Sequence, residues 1–281
     1  MSSPLLGKLL RREELGPRDV GRLLDLLSDP EGPEAMRAAL LVALTAKGET
    51  EEELISLARE LRRRAVPFAL NGSRDALDLC GSGGAVRPSF NVSTVSAFVV
   101  AAAGQSVVKH GNRSARGQTG SSDLLEALGL PVVTSRAYSE ESFRRHRLGF
   151  LHAPLFHPST RSVASTRREL GIPTVFNRLG PLSNPAHVRY QLVGVADRAA
   201  ALRTARVLRR LGVRRGLSVT AAEGSDEFSP RSRSTVVRWD LNGTRTGSVR
   251  ASDHLPADDR RGPWGPLPPR DAARETQRIL A

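Results

Sequence analysis

Asp78-Leu79-Cys80-Gly81-Ser82-Gly83-Gly84-Ala85-Val86-Arg87-Pro88-Ser89-Phe90-Asn91-Val92-Ser93-Thr94 reads as a short buried strand, a glycine turn and the first turn of a helix. Ala76 to Cys80 is the strand, a brief and mostly apolar run stopped by glycine. Gly81, Ser82, Gly83 and Gly84 let the backbone bend sharply and come close to an anion. Asn91, Ser93 and Thr94 fall where a helix start leaves N–H groups unpaired, and Val95, Phe98, Val99 and Ala102 are spaced to form its core face. Loop and helix start together describe an anion site, with phosphate as its natural ligand. Two other glycine loops are excluded by spacing. A Walker loop needs Lys-Ser or Lys-Thr directly after its last Gly, and a dinucleotide loop needs Gly-x-Gly-x-x-Gly opening a helix; here the glycines run into Arg87-Pro88. Glycines after a strand are by themselves often only a turn, so the rest of the chain decides.

Working outward, Ser106 to Val108 is the next strand, and Lys109, His110, Gly111, Asn112 and Arg113 follow where an open α/β sheet binds ligands, beyond a strand's carboxyl end. Further strands read at Phe150 to Ala153, Tyr190 to Val195 and Gly216 to Ala222, with helices between them; Ser159 to Leu170 and Asp197 to Gly212 are two of these helices. Asn242-Gly243, between Thr235 to Asp240 and Thr244 to Val249, is a hairpin signal. A Pro-rich, charged stretch from Asp253 to Arg270 precedes a last helix. The part before Asn71-Gly72-Ser73 is different. It holds four helices punctuated by Gly16-Pro17, Asp29-Pro30, Pro33 and Gly48, the last opened by the capping box Thr50-x-x-Glu53 and carrying Leu54, Leu57, Ala58 and Leu61 on one face. The expected architecture is α/β: a small all-helical domain over residues 1–70 and a larger, mainly parallel-sheet domain over residues 71–281.

With 281 residues and 39% apolar content the chain can bury a sizeable core. No apolar run approaches the roughly 18 residues of a membrane span, and charges stand where a signal peptide has its apolar centre, so a cytoplasmic location is expected. The single Cys80 excludes an internal disulfide, and its place in an apolar strand makes it a small core side chain. A net charge of +13 is what a nucleic-acid partner would ask for, but Lys8, Lys47 and Lys109 are the only lysines. The excess is arginine spread along the chain, the pattern of a solvated basic surface rather than of one nucleic-acid patch.

Lys109-His110-Gly111-Asn112-Arg113, His157-Pro158, Arg167-Arg168-Glu169-Leu170-Gly171, the string from Phe176-Asn177-Arg178-Leu179-Gly180-Pro181-Leu182-Ser183-Asn184-Pro185, and Asp226-Glu227 together resemble the anthranilate phosphoribosyltransferase family in identity and order, over about Leu5 to Leu280. The resemblance implies transfer of phosphoribose from 5-phosphoribosyl 1-pyrophosphate to anthranilate, in tryptophan biosynthesis. It implies a donor site of Gly81, Ser82, Gly83, Gly84, Ser89, Asn91, Ser93, Thr94, Lys109, Thr119 and Ser121. The acceptor site it implies is Gly81, His110, Asn112, His157, Arg167 and Gly180, and magnesium would be held by Ser93, Asp226 and Glu227. A homodimer joined through the helical domain is implied as well; neither nucleic acid nor a membrane is. Adjacent acids on a loop are ordinarily solvated charge, and a lone histidine is ordinarily structural; their places inside matching motifs are what change those readings. Successive helix residues point apart, so at most one of Arg167 and Arg168 can face the site. The chain departs from the family pattern where Ser82 stands for Thr and Ala85-Val86 for Asp-Gly, and family chains continue past the last helix read here. The other reading is a relative of the same fold that has lost catalysis and binds nucleic acid through its basic surface, with affinity falling steeply as salt rises.

Overall fold

The structure, a computed structural model, describes residues 4–82, 90–114, 119–254 and 265–281. Four helices come first: α1 (Pro4–Leu10), α2 (Pro17–Ser28), α3 (Glu34–Lys47) and α4 (Glu51–Arg64). In α2 the buried Val20, Leu23, Leu24 and Leu27 recur at the three- and four-residue spacing of one helix face. The capping box at α4 forms as read: Glu53 N donates to Thr50 Oγ1 at 3.1 Å and Thr50 N to Glu53 Oε2 at 2.9 Å. Glu53 is wholly buried and also takes Leu15 N at 2.8 Å and Lys47 Nζ at 2.7 Å, so one capping acid joins three segments of the bundle. A buried carboxylate is tolerable only with such complete pairing.

The second part alternates strands and helices: β1 (Leu77–Gly81), α5 (Val92–Ala102), β2 (Val107–Gly111), α6 (Ser121–Ala127), α7 (Arg136–His146), β3 (Leu148–His152), α8 (Ala153–Phe156), α9 (Ser162–Leu170), α10 (Val175–Leu182), β4 (Tyr190–Gly194), α11 (Arg198–Arg210) and β5 (Arg215–Ala221). The hairpin β6 (Arg233–Asp240) and β7 (Gly243–Arg250) and the helix α12 (Pro269–Leu280) follow. The strands form one seven-stranded sheet in the order β3-β2-β1-β4-β5-β6-β7. It is parallel from β3 to β5 and antiparallel at β6 and β7. The hairpin turns at Asn242-Gly243, where Asp240 Oδ1 accepts both backbone N–H groups at 2.7 and 3.1 Å.

Alternation along the strands sends neighbours to opposite faces. Leu79, Val107 and Phe150 pack with Ala97 of α5 and Leu125 of α6, whereas Cys80, Val193, Val237 and Trp239 pack with α10, α11 and the helical bundle. Cys80 is a buried free thiol whose pKa burial pushes up, in keeping with a core role. Arg62 fastens the bundle to the sheet domain: its Nε donates to Leu182 O at 2.7 Å and its Nη1 to Leu211 O at 3.2 Å, and burial lowers it to about 10.

Two expectations are corrected. Val99 is 51% exposed and Ala102 is exposed too; the buried line of α5 is Thr94, Val95 and Ala97. Val92 to Ala102 is apolar nearly all round, so periodicity could not choose its inner face. Strand β2 also runs on through Lys109, His110 and Gly111, which the sequence pattern assigns to the loop beyond it.

Candidate active site

Strand order reverses between β1 and β4, and the crevice beyond their carboxyl ends is where such a sheet takes its ligand. The two strands end together, Gly81 beside Gly194, and Ser82 N donates to Gly194 O at 2.9 Å. The Ser82 N–H is therefore engaged in the sheet rather than free for an anion, and Gly81 is the last strand residue. Gly83, Gly84, Ala85 and Ser89 lie outside the described residues.

Asn91 precedes α5 at φ 31° and ψ 33°, a left-handed conformation that Asn tolerates better than most side chains. Its Nδ2 donates to Thr119 O at 2.9 Å, Thr119 Oγ1 donates to Leu267 O, and Ser121 Oγ donates to Asn112 O at 3.2 Å. These side chains tie the start of α5, the approach to α6, the end of β2 and the segment before α12 into one wall. Asn91 Oδ1 and Thr94 Oγ1 are buried without a hydrogen-bond partner among the described residues. Unused polar capacity at a helix start suits a phosphate ligand.

Lys109 and His110 are neighbours in β2 and face opposite sides of the sheet. Lys109 is buried at 3% exposure, and its ammonium donates to Leu79 O and, at 3.1 Å, to Ser93 Oγ of α5. Burial lowers its pKa while Asp78, Cys80 and Glu227 oppose the shift, so acids surround a cation with little water. Asp226 and Glu227 lie on the loop between β5 and β6. That loop crosses directly over β4: a Cβ added to Gly194 would stand 1.7 Å from Asp226 O, so the glycine is what admits it.

On the other face, His110 Nδ1 lies 3.0 Å from Gly180 O of α10, a contact that assigns the Nδ1–H tautomer and leaves Nε2 without a partner among the described residues. The His157 ring packs against it, centroids 5.1 Å apart at 58°, and neither of its nitrogens has a formed hydrogen bond among the described residues. Burial, aided by His157, Lys109 and Arg62, brings His110 down to about 3, against the pull of Gly180 O. Burial likewise brings His157 to about 4, although the Ser183 and Leu61 backbone favours its charged form. Both imidazoles are therefore neutral at pH 7.

Arg167 of α9 is half-buried and Arg168 beside it is exposed, so one of the two faces inward. Its guanidinium carbon lies 5.2 Å from the Phe176 ring centroid, and its Nη2 is 3.5 Å from Asn177 Oδ1, a marginal bond. Asn177 Oδ1 takes Thr174 N at 3.0 Å, and Gly180 follows one helical turn on with open space where a side chain would stand. Asn112 is exposed at the end of β2, its Oδ1 accepting Arg113 N at 2.7 Å.

Three buried polar residues behind the crevice are not among the site residues expected from the sequence, although Asn184 stands inside the quoted string Phe176 to Pro185 and Asp78 opens the first quoted stretch. Asp78, Asn184 and Gln191 form a hydrogen-bonded cluster beneath Lys109 and His110. An acid inside an apolar strand was the available signal for the first of them. A separate cleft of about 430 Å³, lined by Glu51, Arg206, Arg209, Arg210, Val213, Asp240 and Leu241, lies away from this crevice, and Arg206 and Arg210 there are already paired with Glu51 and Glu52.

Residues 73–255 match the family described as glycosyl transferase family, a/b domain, and residues 3–65 match its helical bundle domain. The chain is 39% identical over 266 residues to the anthranilate phosphoribosyltransferase of Persephonella marina, covering 93% of this chain and 78% of that one. Among solved structures, the anthranilate phosphoribosyltransferase of Thermus thermophilus superposes with a TM-score of 0.84 at 35% identity, over 99% of this chain and 82% of that one. The Saccharomyces cerevisiae enzyme in complex with PRPP and Mg does so with a TM-score of 0.81 at 26% identity, over 98% of this chain and 79% of that one. The helical bundle, the sheet with its switch point and the motif residues gathered there thus coincide with a match along nearly the whole chain, and the chain belongs to the anthranilate phosphoribosyltransferase family.

Proposed function

We propose that the chain transfers the phosphoribosyl group of 5-phosphoribosyl 1-pyrophosphate to the amine of anthranilate, releasing pyrophosphate and N-(5-phosphoribosyl)anthranilate, in tryptophan biosynthesis. The observation that carries this reading is the pair Lys109 and His110, which places a buried cation on the α5 side of the switch point and a neutral imidazole on the α10 side. The bond from C1 to the pyrophosphate oxygen breaks, the bond from C1 to nitrogen forms, and the amine loses a proton. Negative charge grows on the leaving group, and the fixed Lys109 ammonium stabilises it there. Asn91, Ser93, Thr94, Thr119 and Ser121, with Gly81, Gly83, Gly84 and Ser89, make up the rest of the donor site; His157, Asn112, Arg167 and the open face of Gly180 bound the acceptor. Neutral His110 and His157 offer hydrogen bonds to the amine without adding charge beside a C1 that becomes oxocarbenium-like.

Ser93, Asp226 and Glu227 are a hard, all-oxygen donor set, the kind that a magnesium ion completed by phosphate and water oxygens takes, and Glu227 acts electrostatically on the Lys109 ammonium that donates to Ser93 Oγ. Magnesium bound there would neutralise the pyrophosphate. Asp226→Asn with Glu227→Gln should move the magnesium activation curve by at least about tenfold, since amides retain oxygen ligands but not the charge that offsets a divalent ion. An unmoved curve in the folded double variant would remove both residues from the site.

Arg167 faces the acceptor with a planar, always charged fork suited to a carboxylate. Arg167→Ala should raise KM for anthranilate by about 10- to 100-fold, the loss of one charge-assisted contact of roughly 1.5–3 kcal/mol, and leave KM for the donor nearly unchanged. Equal rises for both substrates would instead mark a folding role. The reaction itself is tested by loss of anthranilate fluorescence on adding the phosphoribosyl donor and magnesium. Folded protein that leaves the fluorescence unchanged at saturating donor would overturn the reading.

The helical domain, residues 1–70, is proposed to join two copies, since Leu10 at the end of α1 and Val42 on α3 are 70% and 42% exposed. Residues 71–281 then hold both substrates. A cytoplasmic location is proposed with it; among the described residues no helix is long and apolar enough to cross a membrane. Arginines paired with acids, such as Arg64 with Glu60, Arg113 with Asp123 and Arg145 with Glu141, account for part of the basic surface and argue against a nucleic-acid patch.

A further inference from the structure

Asp78 lies in the middle of β1 and is wholly buried. Its Oδ1 accepts His110 N at 3.2 Å, and its Oδ2 accepts Asn184 Nδ2 at 2.9 Å and Gln191 Nε2 at 3.3 Å. Each of these partners continues into the walls of the site. Asn184 also donates to Val108 O at 3.0 Å and accepts Ala186 N at 2.9 Å; Gln191 donates to Pro181 O at 2.6 Å, next to Gly180. A carboxylate in a strand interior is costly where an apolar side chain would serve packing better, and it is tolerable only when paired throughout. Here the pairings lead to β2 at His110, to the turn after α10 through Asn184, and through Gln191 to the end of α10 and to Cys80 of the same strand.

We propose that Asp78 is a positioning residue that locks the donor and acceptor halves of the site into one geometry, holding β2 through the His110 N–H, the turn after α10 through Asn184, and the end of α10 through Gln191 of β4. The inference rests on the phosphoribosyl-transfer reading above. Asp78 sits behind the crevice and reaches neither substrate; it acts through Lys109 and His110. The charged and titratable groups around it are Cys80 on its own strand, Lys109 and His110 from β2, and Arg62 from α4. Burial raises it to about 6, opposed by Asn184, Lys109, the His110 N–H and Arg62, so near pH 7.5 it is a carboxylate and a fixed counter-charge to Lys109. Alignment of the amine with C1 is sensitive to displacements of an ångström, and a residue that couples the two walls controls that alignment more than it controls the affinity of either wall.

The test is steady-state kinetics on full-length wild type and Asp78→Asn, normalised to folded protein. Asn keeps the size of Asp but replaces one of the two acceptor oxygens by an NH2 donor, so either the His110 N–H or the Asn184 and Gln191 donors lose their acceptor and the two walls are no longer held together, while the strand remains. The expected result is a fall in kcat of about 10- to 100-fold with KM for each substrate within about fivefold. Ser218→Ala is the control: it removes a buried bond from β5 to Ala201 O of α11 at 2.9 Å, outside the site, and should lower Tm with kcat unchanged. If Asp78→Asn does not accumulate folded, Asn184→Ser is measured for the same split. A kcat within twofold of wild type in the folded single variant, or equal rises in both KM values with kcat unchanged, overturns the inference. Absence of wild-type turnover overturns the transfer reading and the inference together, whereas wild-type turnover with an unchanged kcat in Asp78→Asn overturns the inference alone.

Discussion

Lys109→Met should lower kcat/KM by about 10³-fold and leave a folded protein, measured by donor titration in steady state and by the enthalpy of donor binding. Loss of one preorganised donor to a developing anion costs about 10² to 10³ in rate, and Lys109 is a full cation in a site with little water, so the upper end applies. The ammonium is held in advance by Leu79 O and Ser93 Oγ, so it need not reorganise as charge builds. Removing one member of a buried charge pair ordinarily costs about 3–5 kcal/mol of stability. Asp78 escapes most of that cost: already raised to about 6 by burial, it rises further without its counter-charge and takes up a proton near neutral pH. The fold should therefore survive with a lowered Tm. A loss below tenfold, with donor affinity unchanged, would assign Lys109 to the core instead.

The fold was legible because its signals are local. Thr50 and Glu53 form the capping box in the structure as in the sequence, Asn242-Gly243 turns the hairpin, and the glycines after Cys80 mark the end of β1. Lys109, His110, Ser93, Arg167 and Gly180, which the motif strings name, stand on β2, α5, α9 and α10 around the parallel part of the sheet. Legibility failed where the answer depends on a neighbour that sequence does not name. Lys109 and His110 look like loop residues because charged and polar groups seldom occupy a strand buried on both faces; only Ser93 on one side and Gly180 on the other make the strand possible. The Ser82 N–H looks free in the sequence because nothing there says that β4 ends beside it. Asp78 is the same case in reverse, an acid in an apolar run whose partners lie 32 to 113 residues away along the chain.

Stability should fall on mild acidification, by roughly 6–8 kcal/mol between pH 6.5 and pH 4, measured by denaturant unfolding across that range. The folded protein holds His110 at about 3 and His157 at about 4, both below the ordinary value of 6.5, so the unfolded chain binds protons that the fold refuses. Each such histidine contributes stability that is intact above pH 6.5 and is lost, at about 1.4 kcal/mol per pH unit, until its folded pKa is reached. Asp78 works the other way. Raised from 3.8 to about 6, it binds its proton first in the fold and returns part of the loss between those two values. The histidines outnumber it, and His152, also lowered by burial to about 4, adds to their side. Carboxylates paired with arginine act in a separate, lower window: Glu60, held near 2 by Arg63 and Arg64, loses its contribution below its ordinary 4.5. His157→Gln should flatten the slope between pH 6.5 and pH 4 by about one proton, or 1.4 kcal/mol per pH unit. A stability that stays level or rises from pH 6.5 to pH 4.5 would mean that the two stacked imidazoles carry charge in the fold, and that the acceptor wall is wetter than their burial implies. Against a typical total of about 5–15 kcal/mol, a loss of this size brings the acid midpoint into the range where the histidines, rather than the surface carboxylates, decide unfolding.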